Sequence, residues 1–134
     1  MTRVSQTVRQ QVSQRAGGRC EYCCLPESYS LRFHVDHIVP IRKHGGTNGL
    51  ENLAWACVIC NSNKTSNIAS FDPQTKQLTQ LYNPRIQSWD EHFEIKDGFI
   101  VGKTAVGRTT IQVLDMNVLG QVDTRRYLIK AGLW

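Results

Sequence analysis

Two pairs of cysteines have the spacing of metal-binding knuckles: Cys20-x-x-Cys23 and Cys57-x-x-Cys60, 33 residues apart. Two intervening residues let both thiolates of a pair converge on one ion, and two pairs complete the tetrahedral four-sulfur set that zinc takes. Four protein ligands leave no coordination position for a substrate. A zinc held there is therefore structural, and it contributes to folding by joining two distant segments. The competing reading is a redox or disulfide pair, which an oxidising compartment would favour. Met1 to Gln14 is polar and lacks the apolar stretch of a secretory signal, which points to a reducing, cytoplasmic setting. Cys24 is left over from the spacing and reads as a small buried or partly exposed thiol.

A second set of reactive side chains lies between and just after the knuckles: His34-Val35-Asp36-His37-Ile38-Val39-Pro40, Gly45-Gly46, Leu50-Glu51-Asn52-Leu53, and Asn61-Ser62-Asn63-Lys64. Histidine exchanges a proton near neutral pH. A hard divalent ion takes oxygen ligands, so a carboxylate or a carboxamide suits it. These are the groups that phosphodiester hydrolysis needs: a base for water, charge stabilisation on the phosphoryl group, and help for the leaving oxygen.

From Cys20 to Ile68 these residues resemble the HNH endonucleases, in the form that carries a pair of Cys-x-x-Cys knuckles. The resemblance lies in the Asp-His-Ile-x-Pro run, the Gly-Gly turn, the Leu-x-Asn-Leu run, and a Cys-x-x-Cys followed by Asn and then Lys. A looser resemblance, including Gly107-Arg108-Thr109, extends to small stand-alone bacterial members. It implies an α+β fold: a ββα-metal (His-Me finger) nuclease core stapled by a four-cysteine zinc site, with a C-terminal α+β extension. It implies His37 as general base and Asn52 as the residue that orients its ring, while by residue type alone Asn52 also reads as a helix cap or turn residue. Asp36 and Asn61 would hold a catalytic divalent ion, and Lys64, one helical turn past Asn61, either reaches a backbone phosphate or lies on a solvated helix face. Asn61 stands where the family usually has histidine. With a nitrogen ligand lost, magnesium or manganese becomes the expected ion rather than zinc or nickel. Adjacent strand residues point to opposite faces, so Asp36 and His37 can serve one site only if the strand ends or bends there. His34 shares the Asp36 face and either flanks the metal or a phosphate, or faces solvent. Arg42 and Lys43, with His44, form a basic run beside the loop that is either a DNA-backbone contact or a solvated turn.

Positioning these groups requires a particular order of elements. Val4, Val8 and Val12 recur at helical spacing over Val4 to Ala16, and Gly17-Gly18 supplies the stop. Leu31 to Ile41 reads as a strand, Gly45 to Gly49 as a loop, and Leu50 to Ala56 as one helical turn or a second short strand. A helix is expected over Asn61 to Ile68. Further on, Asp72-Pro73 marks a turn, and Gln77 to Tyr82 and His92 to Val101 read as strands, the latter broken at Asp97-Gly98. Thr104 can cap a helix running to about Asn117, and Asp123 or Thr124 can start a last one. The sequence thus divides into a nuclease domain with zinc knuckles, 1–70, and an extension packing on it, 71–134. His92, Trp55, Trp89 and Trp134 read as packing residues.

Composition narrows the remaining classes. Forty per cent hydrophobic and 20% charged residues suit a folded chain. No run of about 18 apolar residues exists that could form a membrane span. The net charge is +5, and residues 1–70 carry most of it, with 8 basic and 4 acidic residues against 8 and 7 in 71–134. That bias suits DNA as the partner. No membrane partner or small-molecule cofactor is expected, and no residue pattern assigns an oligomeric state. Two other functions share the cysteines: a non-catalytic zinc-ribbon nucleic-acid-binding module, and a protein-interaction zinc knuckle. Neither uses the Asp36-His37 pair or Asn61.

Overall fold

The structure is a computed structural model that describes residues 4–29 and 32–134. Its first helix, α1 (Gln6–Arg15), starts where the Ser5 hydroxyl accepts the Val8 N–H at 3.1 Å. It ends before Gly17 and Gly18, both at positive φ, where a side chain would be strained. Val12 buries completely against the chain that follows.

The centre of the molecule is a strand–strand–helix unit. Strand β1 (Phe33–His37) pairs antiparallel with β2 (Leu53–Cys57), Phe33 opposite Cys57 and His37 opposite Leu53. The strand expected over Leu31 to Ile41 is thus shorter. Leu31 lies outside the described residues, and Ile41 instead opens a four-residue helical turn, α2 (Ile41–His44). Both readings of Leu50 to Ala56 are realised in succession: Leu50–Asn52 is a 3-10 turn that leads into β2. Every residue of β2 is buried, so it is the strand around which the core is laid. The open end of β2 is capped by arginines. Arg15 donates to the Leu50 and Leu53 carbonyls at 2.9 and 2.6 Å, and Arg85 donates to that of Leu53 at 3.0 Å.

Helix α3 (Val58–Lys64) follows β2 without a loop. It begins three residues before the expected Asn61 and ends before Ile68. The early start has a clear cause, because Cys57 is itself the N-cap and its sulfur accepts the Cys60 N–H at 3.4 Å. The metal knuckle and the helix cap are one device. The helix stops at Thr65, whose φ of 48° and ψ of −124° leave the helical region.

Two more hairpins and three helices complete the α+β fold. Strands β3 (Ala69–Phe71) and β4 (Leu78–Gln80) pair antiparallel. A short turn of helix, α4 (Trp89–His92), precedes β5 (Phe93–Lys96) and β6 (Phe99–Gly102), which pair through the Asp97-Gly98 turn with both turn residues at positive φ. Helix α5 (Ala105–Leu114) is capped by Thr104, as its sequence predicts, and ends before Asn117. Helix α6 (Leu119–Lys130) starts earlier than expected, with no side-chain cap; Asp123 lies inside it and pairs with Arg126 at 3.5 Å. The later elements close directly on the central unit. Asn63 of α3 donates to the Leu114 carbonyl at 2.8 Å, and the Trp89 indole donates to the Tyr22 carbonyl at 2.8 Å. Cys20, Trp55, Phe93, Leu114 and Leu128 share one buried cluster. Among the described residues no helix is long and apolar enough to cross a membrane.

Candidate functional site

Two polar centres flank the strand–strand–helix unit. The first is the cysteine cluster. The sulfurs of Cys20, Cys23, Cys57 and Cys60 all lie within 4.8 Å of one another, and all four residues are buried. A tetrahedral zinc with bonds of about 2.3 Å requires sulfurs about 3.8 Å apart; the Cys23 and Cys57 sulfurs are separated by 3.7 Å. The donor set fits a structural metal in kind, number and spacing. Backbone N–H groups stabilise the charge that such ligands carry, with Cys23 donating to the Cys20 sulfur and Cys60 to that of Cys57, each at 3.4 Å. Hydrogen bonds from Cys20, Cys23 and Cys60 lower the Cys57 thiol, and those with Cys20, Cys23 and Cys57 raise that of Cys60. Cys24 stands apart at a positive φ of 69°, its thiol pushed up to about 12 by burial, so it remains a protonated, weakly nucleophilic group.

The second centre is a hollow of about 340 Å³ bordered by Asp36, His37, Arg42, Lys43, Asn61 and Thr65, among others. It is reached from β1, α2 and α3 together. Asp36 and His37 both border it because β1 ends at His37 and the chain bends at Ile38 and Val39. His34 does not border it; burial and the nearby Arg9 and Arg32 lower its ring pKa. The His37 ring is held through Nε2, 2.8 Å from the Asn48 side-chain oxygen. An amide oxygen only accepts, so Nε2 carries the proton and Nδ1 is left as the basic nitrogen. Arg42 and Lys43 are exposed on the rim, with no carboxylate partner among the described residues.

Two sequence expectations are corrected at this centre. Lys64 is not presented to a phosphate: it is 1% exposed. Its ammonium lies 3.2 Å from the Asp36 carboxylate and donates to the His37 and Ile38 carbonyls at 3.2 and 3.1 Å. One helical turn beyond Asn61, it points back under the end of β1 rather than out of the protein. Asn52 does not touch the His37 ring. Its side chain accepts from the Val39 N–H at 2.9 Å and donates to the Val39 and Thr47 carbonyls at 2.9 and 2.8 Å. It clamps the two ends of the loop that follows His37. The clamp requires Gly46, because a Cβ there would lie 1.7 Å from the Val39 carbonyl oxygen. Ring orientation falls to Asn48, a residue the sequence analysis passed over within Thr47-Asn48-Gly49. Tyr22 is the other omission: inside the first knuckle, its hydroxyl donates to Asp36 at 2.7 Å. An aromatic between two ligand cysteines carries no signal of that contact, whereas an Asn two residues past a Gly-Gly pair could have been weighed beside Asn52.

Burial pushes the Asp36 carboxyl up, opposed by the Lys64 ammonium and by the bond from Tyr22. Both Asp36 oxygens have partners, Oδ2 the Tyr22 hydroxyl at 2.7 Å and Oδ1 the Lys64 ammonium at 3.3 Å.

Residues 20–67 match the family model of the HNH endonuclease. The chain is 26% identical over 116 residues to the Septu protein PtuB of Bacillus thuringiensis, a match covering 85% of this chain and 42% of that protein. It is 43% identical over 56 residues to the CRISPR-associated endonuclease Cas9 of Corynebacterium diphtheriae, covering 42% of this chain and 5% of that protein. The chain thus spans less than half the length of either relative. No solved structure matches it. Residues 20–67 are an HNH-like endonuclease domain with a four-cysteine cluster able to coordinate a metal.

Proposed function

We propose that the chain is a metal-dependent endonuclease that hydrolyses DNA phosphodiester bonds from a ββα-metal core. The observation that supports this best is the His37 ring. It is protonated at Nε2 by its bond to Asn48 and basic at Nδ1, and it borders an open hollow with Asp36, Asn61 and two unpaired cations. His37 takes the proton of the attacking water. Asn48 keeps the ring in the tautomer that can do so, and Asn52 holds the loop on which Asn48 sits. Arg42 and Lys43 draw the backbone phosphates to the rim, where they position the strand without reading its bases. Asp36 and Asn61 would hold a divalent ion, magnesium or manganese by their oxygen donors, which would supply charge stabilisation on the phosphoryl group and the leaving oxygen. The zinc of the four cysteines is structural and takes no part in the reaction.

Supercoiled plasmid incubated with the protein and Mg²⁺ or Mn²⁺ tests the reading. Cleavage is expected, and His37→Ala should slow it by about 10²–10⁴-fold, the usual contribution of a general base. Equal cleavage by the two proteins would overturn the mechanism. DNA binding with no cleavage under any divalent ion would instead favour a non-catalytic zinc-ribbon module.

A further inference from the structure

Among the described residues, Cys24, Thr65, Lys76, Asp97 and Asp115 have positive φ without being glycine. Thr65 is the β-branched one, and the one that borders the His37 hollow. Its ψ of −124° also takes it out of the left-handed helical well in which Asp115 sits, at φ 50° and ψ 53°. The Asn67 N–H donates to the Lys64 carbonyl at 2.9 Å, so residues 64–67 form a tight turn with Thr65 at its first central position. That position of a type II′ turn has φ and ψ of about +60° and −120° and takes glycine. A β-branched side chain is held there at a cost that glycine would not incur.

The fold calls for the turn but not for threonine. Lys64 is anchored beneath the end of β1, so the chain must leave α3 directly after it to reach β3. The Thr65 side chain is exposed and adds nothing to the core. Its oxygen accepts from the Asn67 amide at 3.4 Å, and its own hydroxyl proton has no acceptor among the described residues. The hollow it borders also carries His37, Asn61 and the exposed cations Arg42 and Lys43. Threonine and serine hydroxyls commonly join arginine and lysine on the phosphate oxygens of a nucleic-acid backbone. Residues held in sparsely populated backbone regions cluster at such ligand clamps.

We propose that Thr65 is a DNA-contacting residue of the hollow: its hydroxyl donates to a backbone phosphate oxygen, and its backbone strain is retained for that contact. The proposal rests on the reading of the hollow as the place that receives DNA. Arg42 and Lys43 attract a phosphate over a distance, whereas a hydroxyl bonds it only at close range and in a set direction. Thr65 therefore fixes where the strand comes to rest beside His37.

Affinity of the full chain for a fluorescein-labelled DNA duplex, read by anisotropy, tests this, with His37→Ala carried by every protein so that no strand is cut. Thr65→Gly removes the hydroxyl and the strain; Thr65→Ser keeps the hydroxyl. The Gly variant is expected to bind about 10–100-fold more weakly, the range for one hydrogen bond to a charged group. It should also melt a few degrees higher, because the strain is gone. The Ser variant should bind nearly as the parent does. The slope of affinity against salt should not change in either, because a hydroxyl displaces no counterion. A Gly variant within about threefold of the parent would overturn the proposal, and so would a Ser variant as weak as the Gly variant. A Gly variant that melts lower or fails to fold would show that Thr65 serves the fold, which also rejects it. A shallower salt slope would mean that Arg42 or Lys43 had moved, and the assignment to the hydroxyl would fall. Failure of the nuclease reading looks different: the protein with His37 intact binds the duplex and leaves it uncut, while the ranking of the Thr65 variants still decides the contact.

Discussion

The cysteine cluster and the His37 hollow meet on α3, where adjacent residues serve both: Cys60 belongs to the cluster and Asn61 to the hollow. They are built on opposite terms. The cluster is closed. Its four ligands are 1–3% exposed, and two knuckle hydrogen bonds hold its sulfurs in place. The hollow is open, bordered by exposed Arg42 and Lys43, and its histidine has one side-chain partner. A closed four-sulfur set can only hold; an open set with a basic nitrogen and spare oxygen donors can turn over a substrate. Between the two sits the buried Tyr22–Asp36–Lys64 chain. Tyr22 belongs to the first knuckle and Asp36 to the hollow, so this chain of bonds ties the cysteine cluster to the hollow.

That contrast can be broken in order of expected effect. Stripping zinc with a chelator should come first. Structural zinc sites are worth about 10–16 kcal/mol in zinc-finger peptides, as much as the whole stability of a typical domain. The cooperative thermal transition seen by circular dichroism should disappear, and an unchanged melting curve would mean that the cluster is not a staple. Next is Lys64→Met, which leaves the Asp36 carboxylate buried against Tyr22 alone. A cost of about 3–5 kcal/mol in urea unfolding is expected for breaking one side of a buried pair; a cost below about 1 kcal/mol would show that Lys64 is not what holds the end of β1. Smaller is Asn52→Ala. Three bonds to the Val39 and Thr47 backbone are lost, at about 0.5–1.5 kcal/mol net each. The loss should total about 2–3 kcal/mol, with faster amide exchange at Val39. If Val39 stays protected while cleavage falls as it does in His37→Ala, Asn52 acts at the reaction and not on the loop.

Much of this was legible beforehand, and unevenly so. The cysteine spacing was enough to expect the cluster, because convergence of two thiolates depends on two intervening residues and little else. Strand β1 before a helix after the second knuckle was also legible, while Leu50 to Ala56 stayed open between a helical turn and a strand; Thr104 and Asp97-Gly98 announced a cap and a turn by residue type. The start of α3 was misplaced because cysteine is not a usual capping residue; here its sulfur is positioned by the knuckle. Strand β3 and α4 were missed because three- and four-residue elements have too few positions to show a period. Lys64 was misread for a different reason. Lysine is usually solvated, and its burial depends on Asp36 lying 28 residues away in the chain.

From sequence alone came the residue types and the local spacings: four sulfurs in two pairs, a histidine beside an aspartate, and an asparagine after the second knuckle. Those suffice to say which chemistry is possible, because ligand type and short-range spacing are local properties. Tertiary structure alone decided the partnerships. Asn48 rather than Asn52 holds the His37 ring, and Lys64 answers Asp36 instead of a phosphate. Each of these depends on which side chains are excluded from water together, and only the packing of distant segments determines that.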